Sequence, residues 1–302
     1  MRILVTGCRG QLGNELRRLL TTGTAEIGPI PAELVGAEAT YVDVDELDIT
    51  DPDAVDAYFA AHAFDAVINC AAMTNVDGCE KVEDLAFRVN ALGPENLARA
   101  CAAQGAKFVQ VSTDYVFPGN EPGERVEGDP TGPISAYGRT KLAGEELTLV
   151  ANPRSFVVRT AWLYGYVGRN FVKTMLRLAR ERGGMTVVDD QLGNPTSAND
   201  LAHEILRLIA YTDDYGVYHC TNEGVTSWAQ FTRAIVAGAG YDPDIVVPCT
   251  SDEYAAANPQ AARRPLFSAL KNQHLEQTIG NEMRPWQDAL ADYLKNLPQL
   301  EG

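Results

Sequence analysis

A chain of 302 residues, 45% hydrophobic and 22% charged, holds enough apolar material for one large domain or two of ordinary size. Its 25 basic side chains face 41 acidic ones, and the net charge of −16 argues against nucleic acid or an anionic membrane surface as a partner. An anionic substrate would have to be held by local donors against that field.

Residues 1–6, Met-Arg-Ile-Leu-Val-Thr, read as a buried strand. Gly7-Cys8-Arg9-Gly10-Gln11-Leu12-Gly13 follows, and residues 14–20 carry apolar side chains at helical spacing. The three glycines therefore fall on a strand-to-helix turn, where a dinucleotide pyrophosphate binds: glycine permits a tight turn and close approach, and the helix N-terminus favours an anion. The spacing is Gly-x-x-Gly-x-x-Gly rather than Gly-x-Gly-x-x-Gly. Residues 21–40, rich in Gly, Pro and Ala, read as a loop or insertion before a second strand, and the acidic run 43–53 reads as solvated surface.

Residues 66–72 form a buried strand ending in small side chains. Residues 86–103 form a long amphipathic helix that Pro94 should kink or break. Residues 107–112 and 155–160 are further strands. Strand–helix alternation of this kind gives an α/β fold, a doubly wound parallel sheet of Rossmann type, spanning residues 1–160. From about Trp162 the pattern loosens, and residues 161–302 read as a smaller C-terminal substrate-binding domain, with segments 186–188 and 216–220 returning to the main sheet. The six cysteines (Cys8, Cys70, Cys79, Cys101, Cys220, Cys249) lack paired or metal-ligand spacing, so reduced thiols in a cytoplasmic protein are expected. No signal peptide is visible, and no apolar run approaches the length of a membrane span.

Chemistry concentrates at Tyr137-Gly-Arg-Thr-Lys141. Positions i and i+4 share a helix face, so a phenol and an ammonium point the same way, and the positive charge is expected to acidify the phenol. Strand ends of a parallel sheet deliver side chains to one crevice. The glycine turn, Ala71-Ala72-Met73-Thr74, Ser112-Thr113-Asp114 and the Tyr137 helix should line it together. The Thr113 hydroxyl, Tyr137 phenol and Lys141 ammonium can polarise a ketone and supply its proton while a dinucleotide supplies hydride.

These segments, with Leu47-Asp48-Ile49-Thr50-Asp51, Val89-Asn90-Ala91, Arg159-Thr160-x-Trp162-x-Tyr164, Asn170-Phe171, Asp190-Gln191-x-Gly193-x-Pro195-Thr196 and Ala262-Arg263-Arg264-Pro265, run in order over nearly the whole chain. In them the sequence resembles the dTDP-4-dehydrorhamnose reductase family of extended short-chain dehydrogenase/reductases. The resemblance implies reduction of a nucleotide 4-keto-6-deoxy sugar by NADPH or NADH, in a monomer or homodimer. Thr113, Tyr137 and Lys141 would be the catalytic triad. Gly7, Gly10, Gln11, Leu12 and Gly13 would meet the pyrophosphate, Asp48 and Ile49 the adenine end, and Ala71, Ala72, Met73, Thr74 and Asn90 the cofactor's middle. Asp43, facing the adenosine ribose, would favour NAD(H). Asp114, Trp162 and Asn170 would contact the sugar, and Arg263 or Arg264 the diphosphate. Phe267 stands where the family often has Asn.

Duller accounts exist for some of these residues: Trp162 as a core aromatic, Asp114 as the cap of a turn, Asn90 as a backbone clamp. Glu15, Asp189 and Asp190 invite Mg²⁺, but no compact carboxylate trio accompanies them, so they read as solvated acids and no metal is assigned. The four histidines show no ligand spacing. Three other functions compete: reduction of a different nucleotide keto sugar, a related sugar-nucleotide 4,6-dehydratase or 4-epimerase, and a non-catalytic fold relative acting as a regulatory subunit. A sugar 4,6-dehydratase of the same superfamily usually shows Thr-Asp-Glu where Thr113-Asp114-Tyr115 stands here.

Overall fold

The structure, a computed structural model, describes residues 1–300, with side chains to residue 297. The first half alternates strands and helices: β1 (Arg2–Thr6), α1 (Gln11–Thr22), β2 (Glu38–Val42), α2 (Pro52–Ala61), β3 (Ala66–Asn69), the short α3 (Val76–Cys79) and α4 (Glu83–Phe87), α5 (Gly93–Gln104), β4 (Lys107–Thr113), α6 (Ala136–Ala151) and β5 (Ser155–Thr160). The second half holds β6 (Leu163–Tyr164), α7 (Phe171–Arg182), β7 (Met185–Val188), β8 (Leu192–Gly193), β9 (Thr196–Ser197), α8 (Ala198–Tyr211), β10 (Gly216–His219), β11 (Thr226–Ser227), α9 (Trp228–Gly238), β12 (Val246–Cys249), α10 (Ser251–Ala257), α11 (Gln273–Thr278) and α12 (Trp286–Leu300).

Six strands form one parallel sheet in the order β10-β5-β4-β3-β1-β2. Both faces of the central strands are buried, as their unbroken apolar runs require. Ile3 and Val5 pack with α1 and α8 on one face, and Leu4, Val67 and Phe108 with α2 and α5 on the other. From β1 the chain steps outward to β2, then returns past β1 to β3 and continues the other way. The crevice at that reversal opens between the ends of β1 and β3, where a doubly wound sheet takes its ligand.

The return of the second half to this sheet is partial. Residues 216–219 extend it beside β5, but residues 185–188 pair with β12 in a separate two-stranded sheet. The expected return of residues 186–188 does not occur, because Val187 and Val246 are buried in a second core with α7, α9 and α12. Residues 21–40 are anchored: Ile30 and Leu34 join the main core, and buried Glu26 meets Arg18, Arg284 and the Tyr166 hydroxyl. Of the kink or break expected at Pro94, the chain shows a distortion without a break, the backbone staying helical from Glu83 to Gln104. Residues Arg88–Leu92 widen into a π-turn before α5 starts at Gly93, which accommodates a ring that would otherwise collide with the Asn90 carbonyl. All six cysteines are free thiols, four of them buried.

Candidate active site

Helix α6 carries the chemistry, and its position is fixed at both ends of its first two turns. The Ser135 hydroxyl accepts from the Gly138 N–H (3.1 Å) and Glu80 accepts from the Ala136 N–H (2.7 Å), a cap that settles where the helix starts. Two glycines let it sit close. A Cβ at Gly138 would lie 2.3 Å from the Tyr115 carbonyl oxygen, and one at Gly144 2.1 Å from that of Asn90.

Lys141 is 3% exposed, and its Nζ donates to the Val111 carbonyl on β4 (2.6 Å). Burial lowers its pKa to about 8, with the Glu145 carboxylate opposing the fall. Thr113, the last residue of β4, donates its hydroxyl to Asp114 Oδ1 (2.9 Å) and accepts from the Tyr115 N–H (3.2 Å). The ring of Tyr115 meets Tyr137 edge to face at 5.7 Å. Burial pushes the Tyr137 phenol well above its usual range, and the Thr113 hydroxyl recovers only part of that. The expected acidification of Tyr137 by Lys141 is therefore corrected: desolvation governs the phenol, and the ammonium gives one of its three donors to the Val111 carbonyl. The ketone oxygen must receive a proton, and the phenol carries one at neutral pH even at its ordinary value. Burial also pushes Asp114 up to about 6, against the Ser268 and Thr113 hydroxyls.

The crevice has the parts of a dinucleotide cradle. Gly7 has φ +62°, and a Cβ there would lie 2.6 Å from the Ala71 nitrogen. A Cβ at Gly13 would lie 2.6 Å from the Gly7 oxygen, while one at Gly10 would meet only that oxygen, at 3.3 Å. The N-cap of α1 is Gly10, with no side chain capping it. Its first N–H groups are left for an anion at the sheet's switch point, so the residues fit the pyrophosphate of a dinucleotide. Across the crevice, Asn90 clamps the loop after β3: its Oδ1 accepts from the Met73 N–H (2.8 Å) and its Nδ2 donates to the Met73 carbonyl (3.0 Å). That is the backbone role, and it holds Ala71, Ala72, Met73 and Thr74 opposite the glycine turn.

A family model described as the RmlD substrate binding domain matches residues 1–299. A dTDP-4-dehydrorhamnose reductase of Mycolicibacterium smegmatis is 42% identical, over 96% of this chain and 84% of that one. The chain belongs to the dTDP-4-dehydrorhamnose reductase family. Among solved structures, a dTDP-4-dehydrorhamnose reductase of Clostridium acetobutylicum superposes with a TM-score of 0.90 at 44% identity, covering 99% of this chain and 100% of that one. The Bacillus anthracis dTDP-4-dehydrorhamnose reductase, solved in complex with NADP, does so with 0.88 at 38%, covering 98% and 99%.

Several residues expected from the family pattern are placed differently from a free ligand contact. The Gln11 side chain accepts from the Gly165 N–H (2.7 Å) and Asn170 Nδ2 (3.0 Å), leaving its backbone N–H for the cradle. Asn170 caps α7 through Oδ1 and also donates to the Gly165 carbonyl, so its amide is spent inside the protein. Asp43 accepts from the Arg9 and Val44 N–H groups (3.0 and 2.9 Å), and Arg9 pairs with Asp45 and Glu46. Asp48 is exposed and holds Thr50 (2.8 Å), while Ile49 is buried against Gly93. Arg264 pairs with Asp77 (3.1 Å), whereas Arg263 is exposed.

Trp162 has φ +47°, the one positive value at a non-glycine among the described residues. Its indole stacks on Trp228 at 3.5 Å and 8°, over Gly193, where a Cβ would lie 2.6 Å from the ring. Neither Trp228 nor Gly193 had a signal pointing to this, since they come from separate segments. Glu15 is not a solvated acid: it is 3% exposed, held by Arg18 (2.9 Å) and Asn199 (2.8 Å). One group with metal-ligand geometry does exist among the described residues, His203 with Glu204 and Glu282. Arg207 already bonds both carboxylates (2.7 and 3.3 Å), which offsets half of the negative charge a cation would seek.

Proposed function

We propose that the protein reduces dTDP-4-dehydro-L-rhamnose to dTDP-L-rhamnose, a cytoplasmic reaction of a monomer or homodimer that draws on NADPH in preference to NADH. The observation that carries this reading is the half-buried Tyr137 phenol beside the Thr113 hydroxyl and one helical turn from Lys141, in the same crevice as the glycine cradle. Tyr137 and Thr113 would receive the sugar's C4 ketone. A nicotinamide dinucleotide held in the glycine cradle would supply the hydride. Thr113 orients the ketone oxygen, Tyr137 gives it the phenolic proton, and Lys141 holds the cofactor ribose and offsets the charge left on the phenol. Trp162 and Asp114 wall the sugar, and Arg263 reaches the diphosphate. Intact Thr113, Tyr137 and Lys141 in working surroundings speak against the regulatory-subunit reading. Among the described residues, no helix is long and apolar enough to cross a membrane.

The test is oxidation of NADPH and NADH, followed by loss of near-ultraviolet absorbance, with the keto sugar generated in situ. Turnover should fall roughly 10²–10⁴-fold in Tyr137→Phe, the usual worth of a positioned general acid, with NADPH binding retained. Binding without oxidation, or a Phe variant at the wild-type rate, would sink the assignment.

A further inference from the structure

The side chain that follows Lys141 by one more helical turn is buried and charged, and the reaction as described gives it nothing to do. Glu145 is 2% exposed and shares a helix face with Tyr137 and Lys141. Its Oε1 accepts from the Ser112 hydroxyl (2.5 Å) and its Oε2 from Arg159 Nη2 (2.6 Å), with Arg159 Nε shared between the two oxygens (3.0 and 3.1 Å). Ser112 immediately precedes Thr113 and lies opposite Arg159 across the β4–β5 pair. Arg159 in turn donates to the Glu127 carbonyl (3.3 Å) and lies over the Phe117 ring. One carboxylate thus ties the helix bearing Tyr137 and Lys141 to the strand end bearing Thr113.

We propose that Glu145 is a positioning residue of this site, holding α6 in register with the end of β4 and keeping the Lys141 ammonium charged. The proposal rests on Lys141 being the cofactor-holding cation described above. The groups that bear on Lys141 support it. Its own helix contributes Glu145, which favours the charged form against burial; the Cys70 thiol after β3 is held neutral by burial and adds no charge. The other charged groups packed on α6 are engaged elsewhere: Glu80 on the Ala136 N–H, Glu83 on Arg139, Asp114 on Thr113, and Arg159 on Glu145 itself. Burial disfavours the ammonium, Glu145 is the carboxylate set against it, and its removal should let the proton leave at lower pH.

The readout is NADPH and NADH binding against pH, followed by cofactor fluorescence, which needs no sugar and so stands apart from the identity of the substrate. Wild-type affinity should fall as pH rises through about 8, where Lys141 loses its proton. In Glu145→Gln the midpoint should drop by about one to two pH units, the scale of one charge a helical turn away at an effective dielectric of about 20. The double variant Glu145→Leu, Arg159→Met removes the pair together, a change that buried ion pairs often tolerate; since it takes away one charge of each sign, it should lower the midpoint less than Glu145→Gln does. Glu145→Asp keeps the charge and should keep the midpoint near 8 while turnover falls through lost register. A folded Gln variant with an unmoved midpoint would overturn the proposal, as would a double variant whose midpoint rises or an Asp variant that shifts as far as Gln. Cofactor binding that responds as expected without sugar reduction would leave Glu145's role standing and the substrate assignment refuted.

Discussion

Gly144→Ala is the sharpest perturbation the packing offers. Position 144 faces the π-turn at residues 88–92, and a Cβ there would lie 2.1 Å from the Asn90 carbonyl oxygen and 3.4 Å from the Ala91 Cα. Ordinary contact begins near 3.4 Å, so the helix and the turn must part by about 1.3 Å. The obstacle is backbone and cannot rotate aside. Alanine should gain about 1 kcal/mol from helix propensity, whereas overpacking against a rigid neighbour costs about 1–3 kcal/mol. The net is a loss of up to about 2 kcal/mol, a fall of several degrees in Tm for a chain of this size. The larger effect should be catalytic. Moving α6 shifts Tyr137 and Lys141 against Thr113 and disturbs the Asn90 clamp on Met73, and a misplacement of about 1 Å can cost about 10² in rate. NADPH oxidation with the keto sugar gives kcat and KM, and a thermal melt gives the stability. Gly128→Ala is the control, since nothing lies within 4 Å of its Cβ position. A Gly144→Ala enzyme with wild-type kcat and Tm would show that α6 does not need this seat.

Two further substitutions separate the cofactor end from the sugar end. Arg9 sits between Asp43, Asp45 and Glu46 at the end of β2, where an arginine can accept the 2′-phosphate of NADPH. Arg9→Ala should raise KM for NADPH about tenfold and leave NADH nearly unchanged, the worth of one charge-assisted contact; equal effects on both cofactors would remove Arg9 from the phosphate site. Trp228→Ala takes away the stacked indole behind Trp162 and should raise KM for the sugar nucleotide about 3- to 10-fold, with cofactor KM unchanged and partial rescue by Phe. The coupled circular-dichroism signal of the two indoles should vanish with it. An unchanged sugar KM would mean that the stack only fills space.

Where a residue's role follows from local pattern, the sequence was enough to read it. Gly7 and Gly10 lie on a strand-to-helix turn with Gly13 in the first turn of α1, and Tyr137 and Lys141 share a helix face, because short-range rules govern both. Pro94 announced the distortion of its helix for the same reason. What the pattern could not show depends on burial and on distant partners. Tyr137 and Lys141 are adjacent on paper, yet desolvation rather than their proximity sets the phenol. Glu15 looks like any acid in a helix until Arg18 and Asn199 close over it. Residues 185–188 have the composition of a sheet strand but complete the second core instead, since β12, about sixty residues on, supplies their partner.

The two walls of the crevice are fastened with unequal strength, and the inequality bears on how substrate enters. On the cofactor side, Gln11 at the start of α1 is bonded to Gly165 and Asn170, and Asn170 and Tyr293 both donate to the Gly165 carbonyl (2.7 and 2.9 Å). Opening that wall would strand several buried polar groups at about 1–3 kcal/mol each. On the opposite side, residues 262–265 are held to Asp77 by Arg264 (3.1 Å) and the Ala262 N–H (2.8 Å), and the side chains of the ion pair are 26% and 43% exposed. A pair so open to water contributes about 0–1 kcal/mol. Hydride transfer needs the nicotinamide and ketone held to a fraction of an ångström, and the Gln11 side is built for that constancy. The Arg264–Asp77 contact is therefore the more weakly fastened of the two, although Arg264 also reaches the Tyr115 hydroxyl.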